Sequence, residues 1–337
     1  MPALADDPVA PPGSPFLRLG VIGAGIMGDR VARTAAALDD YRITAVADAD
    51  PARAGALAGE LGAVAFQDAE ALLSADLTDA VYIGVPHQLH LPVCLQAAAA
   101  RVHVLVDKPL CNTEVEAEAI ETAALSSGAI WMVGFSYRFR AEWQRARELV
   151  AAGRIGEPVA IADVIAEAAE QTPAWYWDPG GGGGVLQLQA HHCFDRIAWL
   201  TGRPVRDVSC SVHTPPAGAP TVAHIAAGLE GGALAAVALT FGTSYTAPVR
   251  ALFVLQGTTG QLEITHDGEL TLSAAGGGLI EHYGGDDWLS RELTEFAGAV
   301  KRGAPLTATV ADGRAALSCA LAAARSATTG ARVTVGA

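Results

Sequence analysis

Three groups of residues carry types and spacings that can do chemistry. The stretch VDKPLCNT (106–113) puts Lys108 directly after a short apolar run. A lysine at the carboxyl end of a buried strand is partly desolvated, which lowers its pKa and lets it exchange a proton with a substrate hydroxyl. Taken alone, a lysine before a proline is more often a surface residue entering a turn. A second group is GGGGGVLQLQAHHCFD (180–195), in which five glycines precede His191 and His192. The glycines read as a flexible approach to an active centre, and one imidazole as a group that orients a reacting oxygen. The third group is GAGIMG, with Gly23, Gly25 and Gly28 in G-x-G-x-x-G spacing around Ile26 and Met27. There the first glycine makes a tight turn, the second admits a pyrophosphate to the backbone, and the third lets helix and strand pack closely. Amides at the helix start then face the phosphates.

These groups need a frame. FLRLGVIG, ITAVAD, DAVYIGV, HVLVD and IWMVGF read as buried strands, with helices such as IMGDRVARTAAAL, PARAGALAGEL, HLPVCLQAAAA and EVEAEAIETAALSS between them. Runs this apolar suit a parallel sheet covered on both faces, so the first half is expected to be a Rossmann doubly wound α/β domain. GAGIMG follows the first strand, and Asp48 stands twenty residues beyond Gly28 at the end of the second. That context makes the glycine pattern specific for a dinucleotide. A carboxylate at 48 accepts from both ribose hydroxyls and repels a 2′-phosphate. NAD is therefore expected over NADP, although Arg53 lies close by in sequence.

After about residue 150 the pattern changes. VAIADVIAEAA, DVSCSVHT, TVAHIAAGLE, ALAAVALTFGT, RALFVLQGT and GQLEITH read as strands of a large, mostly antiparallel open sheet, and two helices close the chain. The expected division is a flexible tail over 1–15, a dinucleotide-binding domain over 16–137, and an α+β domain for substrate binding and oligomerisation over 138–337. With 22 Lys+Arg against 36 Asp+Glu, the net charge of −14 disfavours nucleic acid. No run is apolar enough to cross a membrane, and the start lacks the features of a signal peptide. Five scattered cysteines without CxxC spacing fit buried thiols in a reducing cytoplasm. No metal site is expected. His87 and His90 have chelating spacing, but a place beside the cofactor explains them better.

Taken in order, GAGIMG, VPHQLH (85–90), DKP (107–109), VGFSYRF (133–139), GGGVLQLQAHHCFD (182–195) and the closing VADGRAALSCALAAARSATTGARVTV resemble the glucose–fructose oxidoreductase, inositol dehydrogenase and rhizopine-catabolism family (Gfo/Idh/MocA). The resemblance covers nearly the whole chain past its tail. It implies that Lys108 is the catalytic lysine and that Val85, Pro86, His87 and His90 line the nicotinamide. It places the catalytic histidine on His192 and a conserved-motif aspartate on Asp195, and leaves His191 as a packing residue. It further implies homodimers or homotetramers joined through the second sheet. Asp107 is expected on the cofactor side, fixing Lys108. Tyr137, Arg138, Trp175 and Trp177 are candidates for the substrate wall.

One position departs from the family pattern. The family's inner aspartate, four residues before the histidine, falls on Leu188, which can neither bind a hydroxyl nor stabilise an ammonium. Gln187 and Gln189 are the neighbours able to supply a polar contact. The expected reaction is hydride transfer between a nicotinamide and a carbinol of a sugar, cyclitol or related polyol. Lys108 handles the proton and His192 orients the oxygen. Three other readings stay open: a non-catalytic NAD-bound sensor or scaffold, an NAD-dependent glycosidase, and a reductase of a keto-sugar or imine biosynthetic intermediate.

Overall fold

The structure is a computed structural model and describes residues 16–168, 173–178, 180–216, 218–242, 249–285 and 287–336. The tail expected over 1–15 lies outside the described residues. The first lobe alternates strands and helices. Its strands are β1 (Leu17–Ile22), β2 (Tyr41–Ala47), β3 (Val64–Phe66), β4 (Ala80–Ile83), β5 (His103–Asp107) and β6 (Trp131–Gly134). Its helices are α1 (Ile26–Ala36), α2 (Pro51–Leu61), α3 (Ala69–Ser74), α4 (His90–Ala100) and α5 (Glu114–Ser127). The strands form a parallel sheet in the order β3-β2-β1-β4-β5-β6, whose switch point lies between β1 and β4. β3 was not expected from sequence: it has three residues, none of them buried, so no periodicity marks it.

Burial on both faces explains the apolar runs. Val21, Tyr82 and Leu105 face one core; Ile22, Val81, Ile83, Val104 and Val106 face the other. Local chemistry sets the helix starts. Pro51 opens α2 behind Asp50, whose carboxylate accepts from the Ala52 amide at 2.9 Å. Thr113 and Glu116 form a capping box on α5, and Glu116 also accepts from the Asn112 amide at 2.9 Å. The loop that carries Lys108 is thus tied down at its far end.

The second lobe holds α6 (Ala141–Ala151), β7 (Pro158–Ala168), a π-helical turn (Leu186–Ala190), α7 (His191–Thr201), β8 (Val205–His213), β9 (Val222–Leu229), β10 (Leu234–Gly242), β11 (Arg250–Gly257), β12 (Gly260–Thr265), β13 (Glu269–Ala274) and β14 (Leu279–His282). The chain then adds α8 (Trp288–Arg302), α9 (Val310–Thr329) and β15 (Val333–Thr334). Nine strands make one open sheet in the order β14-β13-β12-β11-β7-β10-β9-β8-β15. All its pairings are antiparallel except β7 with β10. β13 and β14 are short strands at one edge, and sequence reading missed both.

The last two helices couple the lobes. α8 buries Leu289, Leu293, Phe296 and Ala297 against β1 and β2, and Tyr41 donates its hydroxyl to the Leu293 carbonyl at 2.5 Å. α9 places Val310, Ala316 and Leu317 in the first lobe's core and Cys319, Ala320 and Ala323 in the second's.

Candidate active site

The glycine turn is stereochemically determined. Gly23 has φ +99°, and a Cβ there would lie 2.5 Å from the Gly84 carbonyl oxygen. A Cβ on Gly28 would lie 1.7 Å from the Gly23 carbonyl oxygen. Gly25 has no protein atom within 4 Å of its Cβ position, so the backbone there is open to an approaching group. Gly25 also caps α1 with no side chain to receive the first amides. Those amides await an anion, and Ile26 beside them is largely exposed. These features fit a dinucleotide pyrophosphate. Asp48 stands at the end of β2. It accepts from the Ala24 amide at 2.8 Å through one oxygen, and from the Asp50 amide and Arg53 through the other.

Val85 and Pro86 follow β4 and lead into a short turn at His87. His87 is buried, its ring edge-on to Trp175 with centroids 4.8 Å apart. Burial pushes its pKa down to about 2, so it stays neutral. His90 was expected on the nicotinamide wall, and the structure corrects this. The ring is wholly buried, with Nε2 facing the Val85 carbonyl at 2.9 Å and Nδ1 the Leu110 carbonyl at 3.2 Å. It braces the loops after β4 and β5 against each other from beneath the cleft.

Lys108 follows β5 and precedes a cis peptide to Pro109. Its own amide donates to Asp107 Oδ1 at 2.8 Å, and Tyr82 donates to Asp107 Oδ2 at 3.2 Å. Asp107 therefore clamps the strand end. The ammonium reaches across to the second lobe, where Lys108 Nζ donates to the Leu188 carbonyl at 2.9 Å. Burial lowers its pKa, while Asp107 and Glu167 pull the other way.

Leu188 lies in the π-helical turn that enters α7, with its side chain in the second lobe's core. The side chains of the neighbouring glutamines are engaged elsewhere: Gln187 Oε1 accepts from His191 Nε2 at 2.9 Å, and Gln189 Nε2 donates to Glu167 Oε2 at 2.7 Å. His191 is wholly buried and held by that bond. His192 lies one turn beyond Leu188, its ring edge-on to Tyr137 with centroids 5.1 Å apart. Its Nδ1 has no partner among the described residues. Burial, Lys108 and Arg196 hold its pKa well below the ordinary range, so it too is neutral. The expected Lys108 and His192 thus flank one turn at the lobe junction.

Other expected substrate residues lie elsewhere. Arg138 and Asp195 are engaged with each other: Arg138 Nη2 meets Asp195 Oδ1 at 2.6 Å and Asp312 Oδ1 at 3.0 Å, and its Nε also donates to Asp195. The two side chains are 5% and 2% exposed, so this pair is engaged inside the protein and presents no open side chain to a substrate. Trp177 packs on Phe241 of the second sheet, whereas Trp175 stays beside His87. The glycine run also departs from expectation. Gly183 and Gly184 both have φ +67°, and a Cβ on Gly182 would meet Tyr176 Cα at 2.4 Å. Gly182 permits close packing against the Trp-Tyr-Trp turn, while Gly183 faces Gln187 and Gly184 faces Pro220.

Sequence reading missed Glu167. The signal was present: Asp163, Ile165 and Glu167 alternate along β7, with Asp163 and Ile165 buried. An acid on the inward phase of a strand needs a partner. Asp163 pairs with the buried Arg196 through a bond of 2.8 Å from Nε, and Glu167 turns to Gln189.

A glycine turn at the switch point of a parallel sheet, with a lysine at a strand end and a histidine from a second lobe above it, defines a two-lobed dinucleotide-dependent oxidoreductase. The model of the oxidoreductase family's NAD-binding Rossmann fold (GFO_IDH_MocA) matches residues 17–135, and that of the GFO/IDH/MocA C-terminal domain matches residues 143–263. The chain is 30% identical over 300 residues to D-xylose 1-dehydrogenase (NADP(+)) 2 of Haloferax volcanii, covering 85% of this chain and 90% of that protein. It is 29% identical over 337 residues to inositol 2-dehydrogenase of Streptomyces avermitilis, covering 96% of this chain and 95% of that protein. Among solved structures, levoglucosan dehydrogenase with NADH and levoglucosan superposes with a TM-score of 0.87 at 21% identity, over 95% of this chain and 99% of that one. The chain belongs to the GFO/IDH/MocA oxidoreductase family and carries its NAD-binding Rossmann fold.

Proposed function

We propose that the chain transfers hydride between a nicotinamide and a carbinol carbon of a sugar, cyclitol or related polyol. The observation that supports this most is the Lys108 amine held on the Leu188 carbonyl, one turn from an unpartnered His192 nitrogen. Bound NAD supplies the hydride acceptor or donor at its nicotinamide ring. Gly23, Gly25 and the first amides of α1 would hold its pyrophosphate, and Asp48 its ribose. Val85, Pro86 and His87 would lie along its nicotinamide end. On oxidation, Lys108 takes the hydroxyl proton at Nζ; on reduction it returns it. The Leu188 carbonyl accepts from the amine in either charge state, so its position holds through the cycle. His192 can donate to the reacting oxygen or its neighbour. The names of the relatives, which include a xylose dehydrogenase and an inositol dehydrogenase, support the substrate class.

Lys108→Met tests this reading. The expected result is a loss of about 10²–10⁴ in turnover with NAD binding nearly intact, read from reduced-nicotinamide absorbance across a panel of sugars and inositols. Full activity in that variant ends the assignment. The geometry around Asp48 favours NAD over NADP, because its carboxylate is fixed at the ribose end by the Ala24 amide. We further place the protein in a reducing cytoplasm, supported by five free, buried cysteines. Cell fractionation checks that placement, and recovery from an oxidising compartment counts against it. Among the described residues no helix is long and apolar enough to cross a membrane. Association into dimers or tetramers through the outer face of the second sheet is supported by exposed Val164, Leu234 and Leu252 there.

A further inference from the structure

We propose that Glu167, near the end of β7, is the acidic partner that sets the charge state of Lys108, acting through the Leu188–Gln189 turn as a positioning residue. The inference rests on the reading of Lys108 as the proton carrier. At Leu188 the side chain is sealed in the core and only the backbone carbonyl meets the ammonium. A carbonyl dipole orients an amine but brings no net charge. The next residue of the same turn, Gln189, donates to Glu167 Oε2 at 2.7 Å. Lys108 and Glu167 therefore grip successive residues of one π-helical turn, Lys108 through the Leu188 carbonyl and Glu167 through the Gln189 amide. A π-helical turn suits this task, because its extra residue re-aims side chains and carbonyls at the entry to α7.

The charges around the pair make the effect specific. Lys108 is faced by Asp107 from its own strand end, by Glu167 from β7, and by neutral His87, His191 and His192. Asp107 and Glu167 are the two anions that favour its ammonium against burial. Burial raises the pKa of the Glu167 carboxyl, and Lys108, His266, Arg140 and Arg196 partly offset that push. Arg196 is already paired with Asp163. Asp107 is engaged with the Lys108 amide and Tyr82. Removing Glu167 therefore leaves Lys108 with one anion, and the neutral amine gains.

The chain has two lysines, Lys108 and Lys301, which permits a direct test. The full-length protein labelled with ¹³Cε-lysine shows two side-chain signals, and Lys301→Arg identifies that of Lys108. Its titration gives a midpoint without substrate or turnover. Glu167→Gln keeps the shape and removes the charge. The expected result is a midpoint displaced to lower pH by more than about 0.3 unit, with Glu167→Asp returning it toward the parent value. A folded Glu167→Gln variant with an unmoved midpoint overturns the proposal. If that variant does not fold, Glu167→Ala against Glu167→Asp decides: a lower midpoint in the alanine variant supports the proposal, and equal midpoints overturn it. Failure of Lys108 as proton carrier is a separate outcome, seen only in turnover by Lys108→Met.

Discussion

Asp48 illustrates how much one side chain can decide. Its two oxygens join the end of β2 to the glycine turn, through the Ala24 amide, and to Arg53. The carboxylate is nearly buried, while Arg53, which pairs with it, is more than half exposed. An arginine so placed can soften the repulsion of a 2′-phosphate but not replace a hydroxyl acceptor. Asp48→Ser should therefore weaken NAD binding more than NADP binding, read by fluorescence titration with both cofactors. Equal losses for the two sink the preference for NAD. At the same scale, His192 is useful because it is neutral. Burial, with Lys108 and Arg196 beside the ring, holds its pKa well below the ordinary range. A neutral imidazole can donate through one nitrogen and accept through the other, as an orienting group must.

At the scale of elements, the turn before α7 does most of the positioning. Gly184 sits at φ +67°, and a Cβ there would lie 2.4 Å from the Pro220 carbonyl oxygen. That carbonyl already accepts from the Val185 amide at 2.8 Å. Neither partner can yield without moving the strand connection behind it. Gly184→Ala should cost about 2 kcal/mol or more of stability, from left-handed strain plus the clash, and calorimetry should show a melting point several degrees lower. Gly25→Ala offers the contrast, since its Cβ position is open. An unchanged melting point in Gly184→Ala refutes the packing role. The loop of Lys108 is held in a comparable way, by Asp107 at one end and the Thr113–Glu116 capping box at the other.

For the whole molecule, the lobes are coupled by elements remote in sequence. α8 covers the β1–β2 face of the first sheet, and α9 crosses from one core to the other. Arg138, just past the first lobe, adds an ionic tie to Asp195 of α7 and Asp312 of α9. The geometry between Lys108 and His192 therefore depends on residues near position 300 as much as on local loops. The outer face of the nine-stranded sheet remains. Val164 on β7 stands directly across from Leu252 on β11 and Ala238 on β10, all on one face. Val164 is exposed, whereas its neighbours Asp163 and Ile165 are buried. Val164→Arg should lower the mass measured by light scattering, if this face joins the subunits, and leave the melting behaviour of each lobe intact. An unchanged mass overturns association through that face.

Much of this was legible in the residues themselves. Apolar runs buried on both faces announce a parallel sheet, because only a strand covered twice needs no polar phase. The spacing of Gly23, Gly25, Gly28 and Asp48 marks a dinucleotide turn, because the strand–turn–helix–strand unit that carries it is continuous in sequence. The same reasoning reached Lys108 and the second histidine of the pair through motif order. It could not see that His90 lies beneath the cleft, that Arg138 closes on Asp195, or that α8 belongs with the first sheet. The last two depend on contacts between residues 57 and 252 positions apart, and the first on loops that follow different strands. Nor could it tell that Leu188 would offer its carbonyl to Lys108 while Glu167 arrived from another strand. Periodicity and turn chemistry act between near neighbours. Which carboxylate meets which ammonium is settled only when distant segments share one interior and each buried charge must find a partner.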